Sequence, residues 1–458
     1  MRTSARTPAR SSAVPRPRTA PRTCCEPHGA HVAVVEDLEL SRPVRDVVTA
    51  SGARSAWLVV RVFAEPVGLV TVPLTAGRAA AADVLDAVLA GCGPVAVQRV
   101  RAAGGDVRDV VEGRGTTVPR TPPFLARHAR TAVTGPDVTV VVCTRERPDD
   151  LRRALESLRA QSSRRFEVLV VDNAPAGTAT RDVVADVAAG GAPGRGLRYV
   201  VEPRPGLSWA RNHALRVVTT PVVAWLDDDE TADVHWVAEL AGAFADDPGA
   251  AAVAGCVVPA ELRTQAQLWF EEYGGHTKGR GFAPDVFTAT GPQHPMYPLP
   301  PFGAGANMAF AVEWLRAVGG FDVALGAGTA TCGGEDTLAF SEVLLAGGRV
   351  LYRPTALTRH YHRPDHAALA AQMRGYGVGL TAYYAALVRR DPRRLGALLR
   401  LAPRALRDVT APGGGAGREL PDDFPAALLR LKTRAMLLGP LAYVRALSRA
   451  RALRRETT

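Results

Sequence analysis

Lysine is nearly absent from this 458-residue sequence. Lys278 and Lys432 are its only lysines, and arginine supplies the rest of the 56 basic residues. With abundant Ala and Gly, this pattern is that of GC-rich coding. Aromatic residues are scarce at 6%, and there are only six cysteines. No two cysteines are spaced as CxxC, and Cys143 and Cys256 sit in apolar, strand-like runs. A small disulfide scaffold is therefore excluded, and free thiols in a reducing compartment are expected. The first 23 residues hold six arginines and no acidic residue, but no apolar segment follows them, so they do not form a secretory signal. Charge-free apolar stretches such as Gly375 to Val388 fall short of the ~20 residues that span a bilayer, which argues against a polytopic membrane protein.

What is present is ordinary for a globular chain: 47% hydrophobic and 22% charged residues. Global disorder is excluded. The net charge of +11 raises nucleic acid or an anionic membrane as partners. The excess sits at the two ends, however, and the middle is nearly balanced, so no nucleic-acid binding is expected.

The composition divides the chain. Residues 1–30 are rich in Arg, Pro, Ser and Thr and read as a disordered basic arm. Residues 31–113 read as a small α+β accessory domain, with strands Ala56–Val62 and Gly68–Pro73 about a turn at Glu65–Gly68 and a helix over Ala79–Leu89. Residues 114–135 hold several Pro and Thr and read as a linker. Over 136–365 apolar strands alternate with helices: Val138–Cys143, Phe166–Val171, Leu197–Val201, Val222–Leu226 and Ala251–Val258. Strands apolar throughout imply a mostly parallel sheet covered by helices on both faces. Such sheets bind ligands beyond the carboxyl ends of their strands. Residues 366–458 read as a helical extension, with a Gly-rich break at Pro412–Gly417 and a final basic segment, Phe424–Arg455, that suits a membrane surface or a solvated face.

The chemistry-bearing residues fall at strand ends. Val222–Leu226 runs into Asp227-Asp228-Asp229-Glu230. Clustered carboxylates are costly unless a cation or several donors compensate. Asp227 and Asp229, two apart in extended chain, suit a hard divalent ion, and a solvated acidic turn is the plainer alternative. Asp172-Asn173 ends the second strand, where a carboxylate can bind a nucleoside or close an Asx turn. Arg211 lies one turn into a helix, within reach of a base or pyrophosphate. Gly333-Gly334-Glu335-Asp336 opens a helix, and one of its carboxylates can serve as a general base. Gly303–Asn307 is a loop where backbone can approach a substrate. His360 and His362, alternate residues, can reach one site from a strand.

In order, Thr144-Arg145, Asp172-Asn173, Arg211-Asn212, Asp227-x-Asp229 and Glu335-Asp336 resemble the family 2 glycosyltransferases of GT-A fold, over roughly Pro136 to Arg363. Gly320-Phe321-Asp322 adds to the resemblance. It implies a Rossmann-like α/β fold and inverting transfer of a sugar from a nucleotide-diphospho-sugar. By resemblance, Thr144 and Asp172 hold the nucleoside, Arg211 contacts the base, and Asp227 contacts the ribose or metal. Asp229 ligates Mn²⁺ or Mg²⁺, with His362 as a further ligand, and Asp336 is the base, with Glu335 beside it. Where the family often has an aromatic residue after Thr144, this chain has Arg145, which can also stack on a base. Gln372-Met373-Arg374-Gly375-Tyr376 lacks the Gln-x-x-Arg-Trp of processive synthases, so single-sugar transfer is expected. The acceptor is expected to be a glycan, lipid-linked or small-molecule hydroxyl, and the site cytoplasmic, with peripheral contact at the inner membrane face through the basic C-terminus. The competing readings are a sugar nucleotidylyltransferase, against which the glycine-free Thr144–Pro148 loop argues, and a non-catalytic nucleotide-sugar-binding protein.

Overall fold

The computed structural model describes residues 32–50, 52–277, 279–297, 302–410 and 420–456. The expected basic arm and the Gly-rich stretch Pro412–Gly417 lie outside them. The N-terminal elements are β1 (Ala33–Glu39), β2 (Val47–Val48), β3 (Ser55–Val62), β4 (Glu65–Pro73), β5 (Arg78–Ala79), α1 (Ala81–Ala102) and α2 (Val107–Val111). β1 and β3 pair in parallel, and β3 and β4 form a hairpin. The hairpin turns at Phe63-Ala64, with φ of 52° and 69°, and not at the expected Glu65–Gly68. Positive φ at both central residues matches the twist of the strands it joins. α1 runs well past Leu89 because Val84, Val88, Cys92, Ala96 and Val100 keep one face buried against β3 and β4. By length and composition α1 could also cross a membrane.

The expected linker instead contains α3 (Pro123–Thr134), which buries Phe124, His128 and Thr131. Pro122-Pro123 marks a helix start, where proline's missing N–H costs nothing.

The central unit then runs β6 (Val138–Thr144), α4 (Pro148–Arg159), β7 (Phe166–Asn173), α5 (Ala179–Ala189), β8 (Leu197–Glu202), α6 (Leu207–Val217), β9 (Val222–Leu226) and β10 (Glu230–Ala232). It continues with α7 (Trp236–Asp246), β11 (Ala250–Pro259), α8 (Gln265–Glu272), β12 (Asp285–Phe287), β13 (Asn307–Ala311), α9 (Val312–Ala317), α10 (Glu335–Leu345) and β14 (Arg349–His360). The sheet order is β10-β14-β11-β13-β9-β6-β7-β8, with β12 on β14. The β9-β6-β7-β8 half is parallel, and β13 is inserted antiparallel between β9 and β11. One face packs under α4, α5 and α7 through Leu151, Leu155, Val184 and Leu240, and the other under α6, α9 and α10 through Ala214, Leu315 and Phe340. The expected α/β architecture is thus observed. Each fully buried Leu in these layers contributes about 1.5–3 kcal/mol.

α11 (His366–Arg390), α12 (Arg394–Thr410), α13 (Ala426–Ala435) and α14 (Gly439–Glu456) complete the chain. α11 packs on α13 and α14, and Gly377 lets Lys432 O approach where a Cβ would sit at 2.1 Å.

Candidate active site

Register puts the carboxyl ends of three strands together. Thr144 of β6 pairs with Asp172 of β7, and β9 ends beside them at Leu226. β13 starts at Asn307 opposite Leu226, which holds the Ala304-Gly305 loop at the same edge. β10 folds back after Asp229 and pairs Glu230 with His360 at the end of β14. A cavity of about 1220 Å³ opens over this edge, and α11 and Lys432 form its far wall.

The four consecutive carboxylates occupy four different environments. Asp227 faces the cavity, and its Oδ1 lies 3.4 Å from Arg211. Asp228 is buried, accepting from Thr144 Oγ1 at 2.7 Å and Arg147 at 3.1 Å. Asp229 receives Arg147 at 3.0 Å and has His360 Nε2 at 3.3 Å from its Oδ1. Glu230 is fully buried. Burial raises Asp227 to about 6 and Asp228 to about 7, and pushes Glu230 well above the usual carboxylate range. Burial would raise Asp229 too, but His360 and Arg147 win and hold it low. Like-charge repulsion is thus relieved by holding Asp229 firmly ionised while its neighbours take up a proton more readily than an ordinary carboxylate.

Arg211 is 1% exposed and does not reach open solvent. It donates to Glu335 Oε1 at 2.9 Å and to Gly305 O at 3.0 Å. Arg211, from which a base contact is expected, lines the cavity floor as the buried partner of Asp227 and Glu335. Gly305 leaves close room here: a Cβ would meet Asp336 Oδ2 at 3.0 Å and Arg211 at 3.2 Å. Glu335 points inward to Arg211, and burial lifts it to about 7. Asp336 points into the cavity, its two oxygens accepting from the Gly305 and Thr337 N–H groups, both at 2.7 Å. The two carboxylates expected to be catalytic both line the cavity, with Glu335 held by Arg211 and Asp336 by the Gly305 and Thr337 N–H groups.

Two further expectations change. Asp172 accepts from Tyr199 at 2.7 Å and is completely buried, while Asn173 and the exposed Arg145 line the cavity. Thr144 lines it too, with its hydroxyl committed to Asp228. His362 does not face Asp229. Its Nε2 lies 2.6 Å from Glu271, and His360 takes the place beside Asp229. β14 ends at His360, so strand alternation no longer governs the two histidines.

Arg147, His360, His276 and Glu271 complete the constellation. Of these, only the His360/His362 spacing was visible in the sequence.

The donor set fits a divalent cation. Asp229 Oδ1 and His360 Nε2 stand 3.3 Å apart, near the roughly 3 Å between adjacent ligands of an octahedral ion with ~2.1 Å bonds. Arg147 already places a positive charge against Asp229.

Residues 139–313 match the family described as Glycosyl transferase family 2. A glucosyl-dolichyl phosphate glucuronosyltransferase of Haloferax volcanii is 28% identical over 197 residues, 41% of this chain and 57% of its own. A pre-mycofactocin glycosyltransferase of Mycobacterium tuberculosis is 30% identical over 243 residues, 53% of this chain and 46% of its own. The chain thus spans about half the length of these relatives. A solved mannosyltransferase of Pyrobaculum calidifontis, in complex with GDP-Man and Mn²⁺, superposes with a TM-score of 0.42 at 20% identity, covering 72% of this chain and 82% of that one. Residues 139–313 thus form a domain that matches the glycosyl transferase family 2, and the relatives named share it at 28–30% identity.

Proposed function

We propose that this protein is an inverting, metal-dependent glycosyltransferase that moves one sugar from a nucleotide-diphospho-sugar to an acceptor hydroxyl. The observation that carries this reading is the division of labour at the sheet edge: an ionised Asp229 with His360 at one side, and Asp336 open to the same cavity at the other.

Thr144, Arg145 and Asn173 form the wall that takes the nucleoside. Asp229 and His360, with Asp227 beside them, would hold a divalent cation, which supplies positive charge for the diphosphate leaving group. Asp336 takes the proton of the acceptor hydroxyl as that oxygen attacks the anomeric carbon from the face opposite the diphosphate. One displacement and one base suffice, so no enzyme nucleophile is needed. The Gly305 and Thr337 N–H groups fix Asp336 for this role.

The acceptor enters along α11. Gly375 and Gly379 keep that wall low, while Tyr273, Tyr376, Arg363 and Lys432 line it. Lys432 donates to Tyr273 at 2.5 Å. Tyrosine faces and positive charge suit a sugar carrying an anionic group, as in a lipid-linked glycan precursor. Exposed Leu395 and Leu399 on α12, with Arg400 and Arg404, and exposed Leu437, Leu438 and Leu441 support peripheral contact with an anionic membrane surface.

The test is thermal-shift binding of UDP-, GDP- and dTDP-sugars with and without Mn²⁺. One nucleotide class should stabilise the protein in a metal-dependent manner, and Asp229→Asn should abolish the Mn²⁺ dependence. Equal donor affinity with and without Mn²⁺ would overturn the metal role.

A further inference from the structure

His276, His360 and His362 lie together, with one ring nitrogen from each within 4.8 Å of the others. Three clustered histidines suggest a second metal centre, but the hydrogen bonds rule it out. Both nitrogens of His362 are already engaged. Its Nε2 meets Glu271 Oε1 at 2.6 Å, and its Nδ1 meets His360 Nδ1 at 2.8 Å. His362, held by Glu271 on one side and by His360 on the other, therefore presents no nitrogen to an ion in this cluster.

The same contacts fix the proton positions. Against the Glu271 carboxylate oxygen at 2.6 Å, His362 Nε2 is the donor. A neutral His362 then has a bare Nδ1, which only accepts. His360 Nδ1 must therefore be the donor across the 2.8 Å contact. That leaves Nε2 as the remaining pole of His360, and it faces Asp229 Oδ1 at 3.3 Å. With no cation present, a hydrogen on His360 Nε2 bridges to Asp229, the contact that holds this carboxylate low; a cation on Asp229 would take the Nε2 lone pair in place of that hydrogen.

The geometry points to Glu271 and His362 as positioning residues that fix the tautomer of His360, so that its Nε2 lone pair is aimed at a divalent cation on Asp229. This inference rests on the metal-dependent reading above. The pair is built into the fold. Glu271 and His362 are both buried, at 6% and 5% exposure. Gly275 closes over Glu271, where a Cβ would meet its carboxylate at 2.7 Å. Gln267 donates to His362 O at 2.9 Å, fixing the backbone, and the Phe270 ring stands edge-on to His362 at 4.7 Å between centroids. Metal-ligating histidines commonly donate their other nitrogen to such a partner, and loss of the partner lowers metal affinity 10–100-fold.

The experiment has two readouts. Mn²⁺ binding is measured by EPR in the presence of the nucleoside diphosphate that stabilises the wild type most, for wild type, Glu271→Ala, Glu271→Gln and His362→Gln. Glu271→Ala and His362→Gln should raise the Mn²⁺ dissociation constant 10–100-fold, and Glu271→Gln, which can still accept, should lose less. In parallel, ¹⁵N NMR of histidine-labelled wild type with Mg²⁺ and that nucleotide reads which nitrogen of His360 carries hydrogen, assigned by comparison with His360→Gln. The expected form has hydrogen on Nδ1 and none on Nε2. Hydrogen on Nε2 in the wild type overturns the inference without any variant, as does an Mn²⁺ affinity unchanged within twofold in folded Glu271→Ala. No Mn²⁺ binding by the wild type would instead overturn the metal site itself, and this inference with it.

Discussion

Replacing Asp336 by Asn, beside replacing Glu335 by Gln, separates two adjacent carboxylates that look equivalent in the sequence. Asp336 faces the cavity and accepts one N–H on each oxygen. Asn keeps the shape but offers one acceptor, so one of these bonds is lost, at about 1 kcal/mol. That is too little to unfold a domain of this size. The lost general base is worth about 10²–10⁴ in rate, or roughly 3–5 kcal/mol of barrier. Donor affinity should stay at the wild-type value, because no contact at the Asp229 end changes. Glu335→Gln should behave in the opposite way. Glu335 is buried on Arg211 at 2.9 Å, and Gln, whose amide oxygen still accepts, weakens this charge-assisted bond by about 1 kcal/mol. The chemical step keeps its base. Single-turnover transfer, donor calorimetry and urea unfolding of both variants are the assays. Asp336→Asn transferring within tenfold of wild type would refute the assignment of the base. So would a Glu335→Gln protein that is as stable as wild type but loses turnover as deeply as Asp336→Asn.

Three further outcomes are expected. Arg211→Met should cost about 3–5 kcal/mol in urea unfolding, because it leaves Asp227 and Glu335 without their buried partner; a loss below 1 kcal/mol would show that this partner is dispensable. Glu239 is buried with Arg127, His128 and Thr355 around its carboxylate. Burial would raise it, but these partners hold it down at about 2. Its contribution is therefore complete above the ordinary value of 4.5 and is lost as the pH falls towards 2. About 3 kcal/mol should disappear over that window, and Glu239→Gln should flatten the acid limb of the stability profile; an unchanged limb would argue against the shift. Gly305→Ala should lower turnover more than it lowers donor affinity, since the added methyl crowds Asp336 and Arg211; equal losses in both would place the effect at the donor site.

Much of the fold was legible because its signal is local. Continuous β-branched runs such as Val138–Val142 bury on both faces wherever they lie, and alternation with amphipathic helices such as Pro148–Arg159 leaves little choice but a parallel sheet. The antiparallel insertion of β13 had no such signal, since Asn307–Ala311 is a short run whose neighbours β9 and β11 are far from it in sequence. The helix α3 inside the expected linker had no distinct signal, because Pro122-Pro123 looks the same at a helix start as in a loop.

At the site, the sequence by itself determined which residue types stand at which strand ends: Asp227–Asp229 after β9, Asn173 after β7 and Asp336 at the start of α10. Strand direction and length settle those positions. Only the tertiary structure decided what each group does. It tied Glu335 to Arg211 in the cavity floor, buried Asp172 under Tyr199 and gave His360 rather than His362 the place beside Asp229. It also brought in Arg147 and Glu271, which lie 82 and 91 residues from their partners Asp229 and His362. Charge state and orientation follow from burial and from partners distant in the chain. Local sequence therefore fixes which carboxylates reach the sheet edge, and packing decides which of them stays ionised.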